Sequence, residues 1–399
     1  MPHHEDRQDK GGPDRYCGQD RHGRDRHRTH SGSEETTPCL RDRVASRWRH
    51  SLSVGCTRAC AGDRTYRIQG RMGGPAAAQP WVSGVWHRPG PGAGFPLRWS
   101  RIARITRKRL THGYRDSSAV LEATRSIAPD LVLHMAAQSL VRTSYAQPRW
   151  TMETNVLGTL SVLEAIAATP SVRAAVMVTT DKVYRNIGQT TGYAEGDALG
   201  GRDPYSASKA MADILISSWT SSFPGCPTAI ARAGNVIGGG DVSVDRLLPD
   251  LIRGFESQTP VAIRNPDAIR PWQHVLDCLN GYLLLLDALQ HGDGIGAWNF
   301  GPDPGSFRTV REVADSAARG WGNNAAWVVD DQAHPHEEPL LTLDSSRART
   351  ELSWRDILAF DEAVQWTVDW SRRVHAGEAP ADVTGDQIRI FIDRVGTSA

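Results

Sequence analysis

The amino-acid composition changes sharply near Gly113, and this change limits which part of the chain can fold into a packed domain. Residues 1–110 are dominated by Arg, His, Gly, Asp and Trp, and they contain no apolar stretch with the period of a strand or a helix. Such a segment cannot bury enough apolar surface to offset the entropy that ordering would cost. We therefore predict that residues 1–114 are non-globular, either disordered or irregular, and that the folded region is 115–399.

From Arg115 onward the pattern is that of an α/β protein. Helical spacing at 118–127 and 155–168 alternates with short apolar runs at 130–135, 174–178 and 228–233. Continuous apolar runs are typical of parallel strands that are buried on both faces. The alternation predicts a doubly wound parallel (Rossmann) sheet that binds its ligand at the carboxyl ends of the strands. The stretches 241–267 and 297–399 mix Pro, Gly and Arg, and we assign them to a smaller C-terminal substrate domain.

Bulk properties exclude several classes of function. The formal net charge of +1 gives no reason to expect a nucleic acid or a membrane as partner. The six cysteines show no repeated paired spacing, so we expect neither a disulfide framework nor a metal site. The chain has no N-terminal apolar segment with a basic flank and no long apolar run. We therefore expect a soluble cytoplasmic protein without a signal peptide or a transmembrane helix.

Tyr205 and Lys209 are four residues apart in a segment with helical character. That spacing places both side chains on one face of a helix, where the ammonium could stabilise a phenolate and lower the pKa of the tyrosine. The alternative is a Tyr and a Lys on an ordinary exposed helix. The apolar run upstream ends in Thr179, Thr180 and Asp181, and this arrangement favours a tyrosine that acts as a hydroxyl base.

Five motifs in a fixed order carry a resemblance to a known family. They are His134-Met135-Ala136-Ala137-Gln138, Thr180-Asp181-Lys182, Tyr205-Ser206-Ala207-Ser208-Lys209, the stretch 232–241 that contains Gly234-Asn235, and Ile269-Arg270-Pro271-Trp272. From about Gly113 to the C-terminus the chain resembles the extended short-chain dehydrogenases, which include the NAD-dependent nucleotide-sugar epimerases and dehydratases. Within them it is most similar to the CDP-glucose 4,6-dehydratases. Lys182 distinguishes the CDP-glucose enzymes from the dTDP-glucose enzymes, which carry Glu at that position.

The resemblance implies a reaction in three steps on CDP-glucose. Tyr205, aided by Lys209, would take the proton of the C4 hydroxyl while hydride leaves C4 for NAD, and Thr180 would hydrogen-bond the C4 oxygen. Asp181 would then protonate the departing C6 hydroxyl as a general acid, which requires a raised pKa. Hydride would finally return to C6. Lys182 could act as the base at C5 or could stabilise the enolate electrostatically, and the sequence leaves both roles open.

The resemblance also implies the binding residues. Ala136, Ala137, Gln138 and Thr179 would lie against NAD together with Tyr205 and Lys209. Asn235, Arg246 and Arg270 would hold the nucleotide diphosphate, because an arginine fork matches phosphate geometry. A homodimer or a higher homo-oligomer is expected, and no metal.

One element of the family is missing from the written sequence. Its dinucleotide-binding loop, Val-Thr-Gly-His-Thr-Gly-Phe-Lys-Gly, should lie roughly 70 residues before the Ala136–Gln138 turn, in the first strand–turn–helix unit, and no such loop occurs there. Glycines in this loop let the backbone reach the pyrophosphate. Without the unit, the strand at 130–135 should have an unpaired edge.

The genetic code offers an explanation for the missing loop. Residues 65–73 can be encoded by bases that, when read one position later, give His-Thr-Gly-Phe-Lys-Gly-Glu-Trp. Extension back to Cys56 gives the whole missing strand and loop, and the family pattern resumes in the written frame at Arg115. The three glycine positions of the loop fall on Arg64, Arg67 and Gly70. We hypothesise that the chain before about Arg115 is an out-of-frame translation.

Two other interpretations remain open at this point. The chain could be a catalytically dead remnant without enzyme function. It could also be another nucleotide-sugar dehydratase or an epimerase, although Asp181 and Lys182 argue against an epimerase, which needs no acid for dehydration there.

Overall fold

The computed structural model describes residues 115–322, 325–330 and 340–397, together with the backbone of a short strand at 84–86. Apart from that strand, residues 1–114, which we predict to be disordered or irregular, lie outside the described residues. The hypothesis of an out-of-frame translation concerns the same residues and stays a prediction.

The described elements alternate along the chain as the sequence predicts. The strands are β1 (Gly84–Trp86), β2 (Leu131–His134), β3 (Ala174–Val178), β4 (Thr228–Ala233), β5 (Asn235–Ile237), β6 (Val261–Ile263), β7 (Ile269–His274), β8 (Gly296–Phe300), β9 (Phe307–Thr309) and β10 (Trp327–Val329). The α-helices are α1 (Ser117–Ile127), α2 (Val141–Ala146), α3 (Pro148–Met152), α4 (Gly158–Ala167), α5 (Pro204–Ser222), α6 (Leu247–Glu256), α7 (Val275–Gln290), α8 (Val310–Trp321), α9 (Ser346–Glu351), α10 (Phe360–His375) and α11 (Pro380–Thr397).

A five-stranded sheet in the order β1-β2-β3-β4-β8 forms the centre of the fold. Strands β2, β3, β4 and β8 are parallel. One face of the sheet packs Met177 and Ile230 against Leu163 of α4 and Ile216 of α5. The other face packs against α7, whose Leu284, Leu285 and Leu286 are almost fully buried. Helices on both faces of a parallel sheet confirm the predicted doubly wound α/β class.

The edge of β2 differs from the prediction. Strand β1 pairs antiparallel with β2, with Gly84 opposite Leu133 and Trp86 opposite Leu131. The expectation of an unpaired edge was therefore wrong for these residues. An exposed strand edge offers a row of free N–H and C=O groups, so any extended segment can pair with it.

A second apolar core lies within the C-terminal half. It is built from α6, α8, α10 and α11, with Leu251, Val313 and Phe391 almost fully buried. Two small sheets accompany it, β5-β7-β9 and β6-β10. The predicted boundary at residue 297 falls inside β8, which pairs in parallel with β4 of the main sheet. The predicted segment 297–399 of the C-terminal domain can therefore begin only after Phe300. The division of the chain into two lobes stays a prediction.

The predicted helix at 155–168 is interrupted at its start. Residues Glu153–Leu157 form a π-helix, and the regular α-helix runs only from Gly158 to Ala167. In the described parts of the chain, no helix combines the length and the apolar character needed to cross a membrane.

Asp277, in the first turn of α7, makes the stability of the fold dependent on pH. Its carboxylate is fully buried and accepts a hydrogen bond from the Ile357 N–H at 2.6 Å. Burial raises the pKa of Asp277 to about 8. The folded state therefore keeps a proton that the unfolded state loses above pH ~4. Stability should fall as pH rises between these values, by at most about 1.4 kcal/mol per pH unit.

We expect Asp277→Asn to remove most of this slope, because the amide is neutral and its oxygen can still accept from Ile357. The measurement is the free energy of unfolding from urea titrations at several pH values from about 5 to about 8, within the interval where the slope is expected. Asp293→Asn, at an exposed position just beyond α7, serves as the control and should leave the slope unchanged. A slope shared equally by wild type and Asp277→Asn would contradict the prediction.

Candidate active site

The carboxyl end of β3 carries a short turn that fixes Thr180 and Asp181. Thr180 caps a 3-10 turn over Asp181–Val183, and its hydroxyl oxygen accepts the Lys182 N–H at 3.4 Å. The same hydroxyl donates to Asp181 Oδ1 at 2.9 Å. Both Thr180 and Asp181 are buried. Two polar side chains are therefore held in fixed orientations where a doubly wound sheet binds its ligand.

Tyr205 and Lys209 lie on α5 beside this turn. The helix begins with Asp203 as its cap, which accepts the Ser206 N–H at 2.9 Å, and Pro204 follows in the first turn. Tyr205 is 8% exposed and Lys209 is 6% exposed. The Lys209 ammonium donates to the Val178 carbonyl at 3.0 Å. Burial of both side chains contradicts the alternative of an ordinary exposed helix.

The protonation of Tyr205 differs from the expectation. Burial raises the pKa of Tyr205 to about 12, and the charges of Asp181 and Asp203 act in the same direction. A hydrogen bond with Thr180 and the charge of Arg246 lower the pKa only in part. The predicted lowering of the tyrosine pKa is therefore wrong for the protein alone, because removal from water outweighs the nearby cations.

Lys209 itself is perturbed by its surroundings. Burial lowers the pKa of Lys209 to about 8, while the carboxylate of Asp213 opposes this shift. Because Asp213 lies one helical turn beyond Lys209, the two side chains share a face of α5. Its negative charge therefore helps to keep the lysine protonated at neutral pH.

Asp181 has the perturbation that a general acid needs. Burial raises the pKa of Asp181, while the charges of Lys182 and Arg270 and the hydrogen bond from Thr180 oppose the rise. Gly234 packs against this carboxylate, since a Cβ at that position would lie 3.1 Å from Asp181 Oδ2 and 3.2 Å from Pro271 Cγ. The direction of the pKa shift agrees with the sequence-based expectation.

The turn after β2 contains Ala136, Ala137 and Gln138, all of which are buried. The Gln138 amide donates to the Leu140 carbonyl at 3.1 Å and to Thr151 Oγ1 at 2.9 Å. Its side chain therefore shapes the loop after β2.

Asn155 of the π-helix joins this turn to α5 by hydrogen bonds. Its side chain accepts the Gln138 N–H at 2.7 Å and donates to the Gln138 carbonyl at 2.9 Å. It also donates to Ser208 Oγ at 2.8 Å. The sequence-based reasoning treated Asn155 only as the start of a helix and missed this contact. A π-bulge often marks a functional site, but it has no sequence signal of its own.

Asp213 and Arg232 form a buried ion pair, which sequence-based reasoning missed as well. Arg232 of β4 binds both carboxylate oxygens of Asp213, at 2.9 and 2.7 Å. The hydroxyl of Thr179 donates to the same carboxylate at 3.0 Å. Arg232 also donates to the Tyr184 hydroxyl at 2.7 Å, which in turn donates to Asn299 of β8 at 2.7 Å.

The three residues expected to bind the diphosphate lie around the same edge. Arg246 caps α6, and its guanidinium donates to Ser139 Oγ at 2.8 Å and to Asp241 at 3.1 Å. Arg270 influences the pKa of Asp181 through its charge. Asn235 begins β5 directly after Gly234 and pairs in register with Trp272 of β7. The structure therefore brings the catalytic and the binding candidates together.

The described residues fit one end of an NAD molecule. A buried tyrosine and a buried lysine lie beside the end of β3, and dinucleotides bind at the carboxyl ends of the strands in this fold class. The glycine-rich turn that would receive the pyrophosphate is not found among residues 115–322. In the described ranges, no cluster of three or more His, Cys, Asp or Glu residues could hold a metal ion.

Comparison with known proteins shows the family and the fold of the chain. Residues 96–301 match the model of the NAD dependent epimerase/dehydratase family, and the match begins inside the segment that we predict to be out of frame. A CDP-glucose 4,6-dehydratase of Salmonella typhimurium is 41% identical over 275 residues, which are 66% of this chain and 76% of that protein. A dTDP-glucose 4,6-dehydratase of Xanthomonas campestris is 27% identical over 276 residues, which are 64% of this chain and 76% of that protein.

Solved structures show the same fold. A dTDP-glucose 4,6-dehydratase from Streptomyces venezuelae, solved with NAD bound, superposes with a TM-score of 0.57 at 25% identity and covers 69% of this chain and 86% of its own. A UDP-glucose 4-epimerase from Thermus thermophilus in complex with NAD gives a TM-score of 0.56 at 26% identity, with 65% of this chain and 83% of its own covered. With the family model matched over more than half of its length, the chain belongs to the NAD dependent epimerase/dehydratase family.

Proposed function

We propose that the catalytic half of this chain is built for the NAD-dependent dehydration of CDP-glucose to CDP-4-keto-6-deoxyglucose. The observation that carries the proposal is the pairing of Tyr205 with Asp181 through Thr180. The phenol is hydrogen-bonded to Thr180, whose hydroxyl donates to Asp181. A base for oxidation and an acid for elimination thus lie on either side of one hydroxyl. The 41% identity to a CDP-glucose 4,6-dehydratase supports the choice of nucleotide.

In the oxidation, Tyr205 would accept the proton of the sugar C4 hydroxyl. NAD, when bound, would supply the acceptor for the hydrogen and electron pair that leave C4 and would later return them to C6. Tyr205, Lys209, Thr179 and the Ala136–Gln138 turn are the residues that would hold it. Lys209 is held against the end of β3 by its 3.0 Å bond to the Val178 carbonyl. Positive charge near a phenol favours the phenolate, but the pKa of Tyr205 is raised with Lys209 in place, so this base would require further positive charge in the loaded site.

In the elimination, the C4 ketone acidifies C5, and the C6 hydroxyl leaves as water. Asp181 would donate the proton to that hydroxyl, because burial raises its pKa and favours the neutral acid. Lys182 lies close enough to oppose this pKa shift by its charge. It would either remove the C5 proton or stabilise the enolate.

A second candidate is a catalytically dead remnant. The observation that favours it is the missing glycine loop in the written sequence, because glycines in the first strand–turn–helix unit let the backbone reach the pyrophosphate of NAD. An out-of-frame segment before about Arg115 would explain this loss. Another nucleotide-sugar dehydratase is the third possibility, and substrate selectivity distinguishes it from the first.

Two purified proteins separate these candidates: the chain as written, and a variant with the reading frame restored from Cys56 to Tyr114. We expect the chain as written to contain no NAD and to show no dehydratase activity. The restored variant should contain NAD and convert CDP-glucose to a 4-keto-6-deoxy sugar, with dTDP-glucose turned over at least roughly tenfold more slowly. Mass spectrometry of the product and cofactor content after denaturation provide the measurements.

The outcomes have different consequences. Tight NAD binding by the chain as written would refute the out-of-frame hypothesis. Comparable turnover of both nucleotide sugars would instead refute CDP-glucose selectivity while leaving the dehydratase assignment intact.

Tyr205 and Asp181 should be separable in the frame-restored variant. Tyr205→Phe should block oxidation, so that no reduced nicotinamide forms in a single turnover. Asp181→Asn should allow oxidation and slow the elimination, by about 100-fold or more for the loss of a general acid. Single-turnover absorbance of the reduced nicotinamide, with product quenched in parallel, measures both steps. Equal loss of the first step in both variants would contradict the division of roles.

We also propose that the chain associates as a homodimer or a higher homo-oligomer. Met211 and Ile214 are 48% and 55% exposed on one face of α5, and Leu157 and Tyr145 are 53% and 61% exposed on neighbouring helices. Exposed apolar patches of this kind mark association sites. Light scattering should give at least twice the chain mass, and replacement of Met211 and Ile214 by Lys should give a monomer. A monomeric wild type would refute this proposal.

A further inference from the structure

Two loops are joined by hydrogen bonds at the same end of the sheet as Thr180 and Asp181. Arg142 of α2 donates to Asp245 at 3.1 Å, and Arg246 donates to Ser139 at 2.8 Å. We call these four residues the arginine bridge. Ser139 and Arg142 follow β2, whereas Asp245 and Arg246 follow β4 and β5. Because β3 lies between β2 and β4 in the sheet, the arginine bridge passes over the strand end that carries Thr180 and Asp181.

Both arginines of the bridge are held by carboxylates that a ligand can replace. The Arg142 and Asp245 side chains are 48% and 40% exposed, and the Arg246 and Asp241 side chains are 35% and 29% exposed. Ion pairs in such positions contribute little to stability and are screened by solvent. The Arg232–Asp213 pair, at 3% and 0% exposure, is in contrast fixed. The bridge arginines can therefore change partners without disturbing the fold.

The backbone at Asp245 is strained. Its φ angle is +61°, in the left-handed region that non-glycine residues rarely adopt. Such strain persists only where the surrounding structure maintains it, and it is common at ligand clamps. Asn shares the tolerance of Asp for this conformation, so the carboxylate of Asp245 can be removed without a change of backbone.

We infer that Arg142 is a diphosphate-binding residue, which acts together with Arg246 on the diphosphate of the nucleotide sugar. The Asp245 carboxylate pairs with the Arg142 guanidinium until the diphosphate takes the place of that carboxylate. An arginine fork binds phosphate oxygens in pairs through charge-assisted hydrogen bonds, more strongly than it binds a single exposed carboxylate. The inference rests on the proposed function and adds to it a residue that the family resemblance did not supply.

Two diphosphates could in principle reach the bridge, that of the nucleotide sugar and that of NAD. The position of Arg246 favours the nucleotide sugar, because its charge acts on the Tyr205 phenol. In a nucleotide sugar the diphosphate is bonded directly to the ring that reacts at Tyr205, so it must lie within about one ring's width of that phenol. The pyrophosphate of a dinucleotide belongs at the first strand–turn–helix unit instead.

Calorimetric titration of the purified protein with CDP tests the inference. Arg142→Ala should weaken CDP binding by roughly tenfold or more, the effect expected for a charged hydrogen-bond donor. Asp245→Asn should strengthen it by roughly threefold, because the competing carboxylate is gone. Arg311→Ala and Asp267→Asn, which break another exposed ion pair of 3.2 Å, are the controls and should leave CDP affinity unchanged. Thermal melting of each variant checks that the fold is intact.

The test is specific because the two substitutions should change CDP affinity in opposite directions. If Arg142 and Asp245 only tether the loops, both substitutions break the same contact and shift CDP affinity in the same direction, which would overturn the inference. Unchanged affinity in Arg142→Ala, with normal CDP binding by wild type, would overturn it as well. Titration with ADP-ribose distinguishes the two diphosphates, because a larger loss for ADP-ribose than for CDP would assign Arg142 to the dinucleotide. If the chain as written binds neither CDP nor inorganic pyrophosphate, the same variants are titrated in the frame-restored protein, and absence of binding there would refute the proposed function together with the inference.

Discussion

The buried ion pair between Asp213 and Arg232 is the interaction on which the geometry of the candidate active site depends. Arg232 is fixed by β4 and Asp213 by α5, and both are almost inaccessible to solvent. Removal of one partner from such a pair leaves an uncompensated buried charge and costs about 3–5 kcal/mol. Because the Thr179 hydroxyl also binds Asp213, the pair sets the position of the β3 end relative to α5. Tyr205 and Lys209 can face Thr180 and Asp181 only when these two elements keep this position.

The same pair extends by hydrogen bonds to a distant part of the chain. Arg232 binds Tyr184, Tyr184 binds Asn299, and the Asn299 amide donates to the Asp344 carbonyl at 3.0 Å. Tyr184 also stacks on Tyr193, with ring centroids 5.3 Å apart. A network with every member paired specifies one arrangement, whereas apolar contacts alone tolerate repacking. The segment around residue 344 is thereby held in a defined position relative to the main sheet.

Sequence reasoning predicted those parts of the fold that local patterns determine. The buried strands β3 and β4 were predicted with the same ends that the structure gives, because parallel strands buried on both faces are continuous apolar runs. The contact of Arg232 with Asp213 had no local signal, since the two residues are 19 positions apart and meet only when α5 packs on the sheet. The pairing of β1 with β2 was missed for the same reason, because a strand edge accepts a partner without a sequence motif.

The candidate site was predictable in its composition but not in its electrostatics. The spacing of Tyr205 and Lys209 placed them correctly on one helix face, yet a spacing carries no information on burial. Burial moves the pKa of Tyr205 to about 12 and that of Lys209 to about 8. Removal from water disfavours the charged form of each group, so the two side chains are driven toward neutrality. A phenol in this state holds its proton at neutral pH.

The tyrosine can therefore act as a base only when further positive charge or a proton acceptor enters the site. Lys209 does not supply this alone, because its ammonium donates to the Val178 carbonyl at 3.0 Å and the pKa of Tyr205 is raised with the lysine in place. The hydrogen bond to Thr180 is already present, and Arg246 is shared with Asp241 and Ser139. A substrate diphosphate that paired with Arg246 would weaken the influence by which that arginine lowers the pKa of the phenol. The positive charge that Tyr205 needs would therefore have to come from a bound oxidised nicotinamide, so a chain with an intact Tyr205 and Asp181 edge would still require the rest of the dinucleotide site before that edge could react.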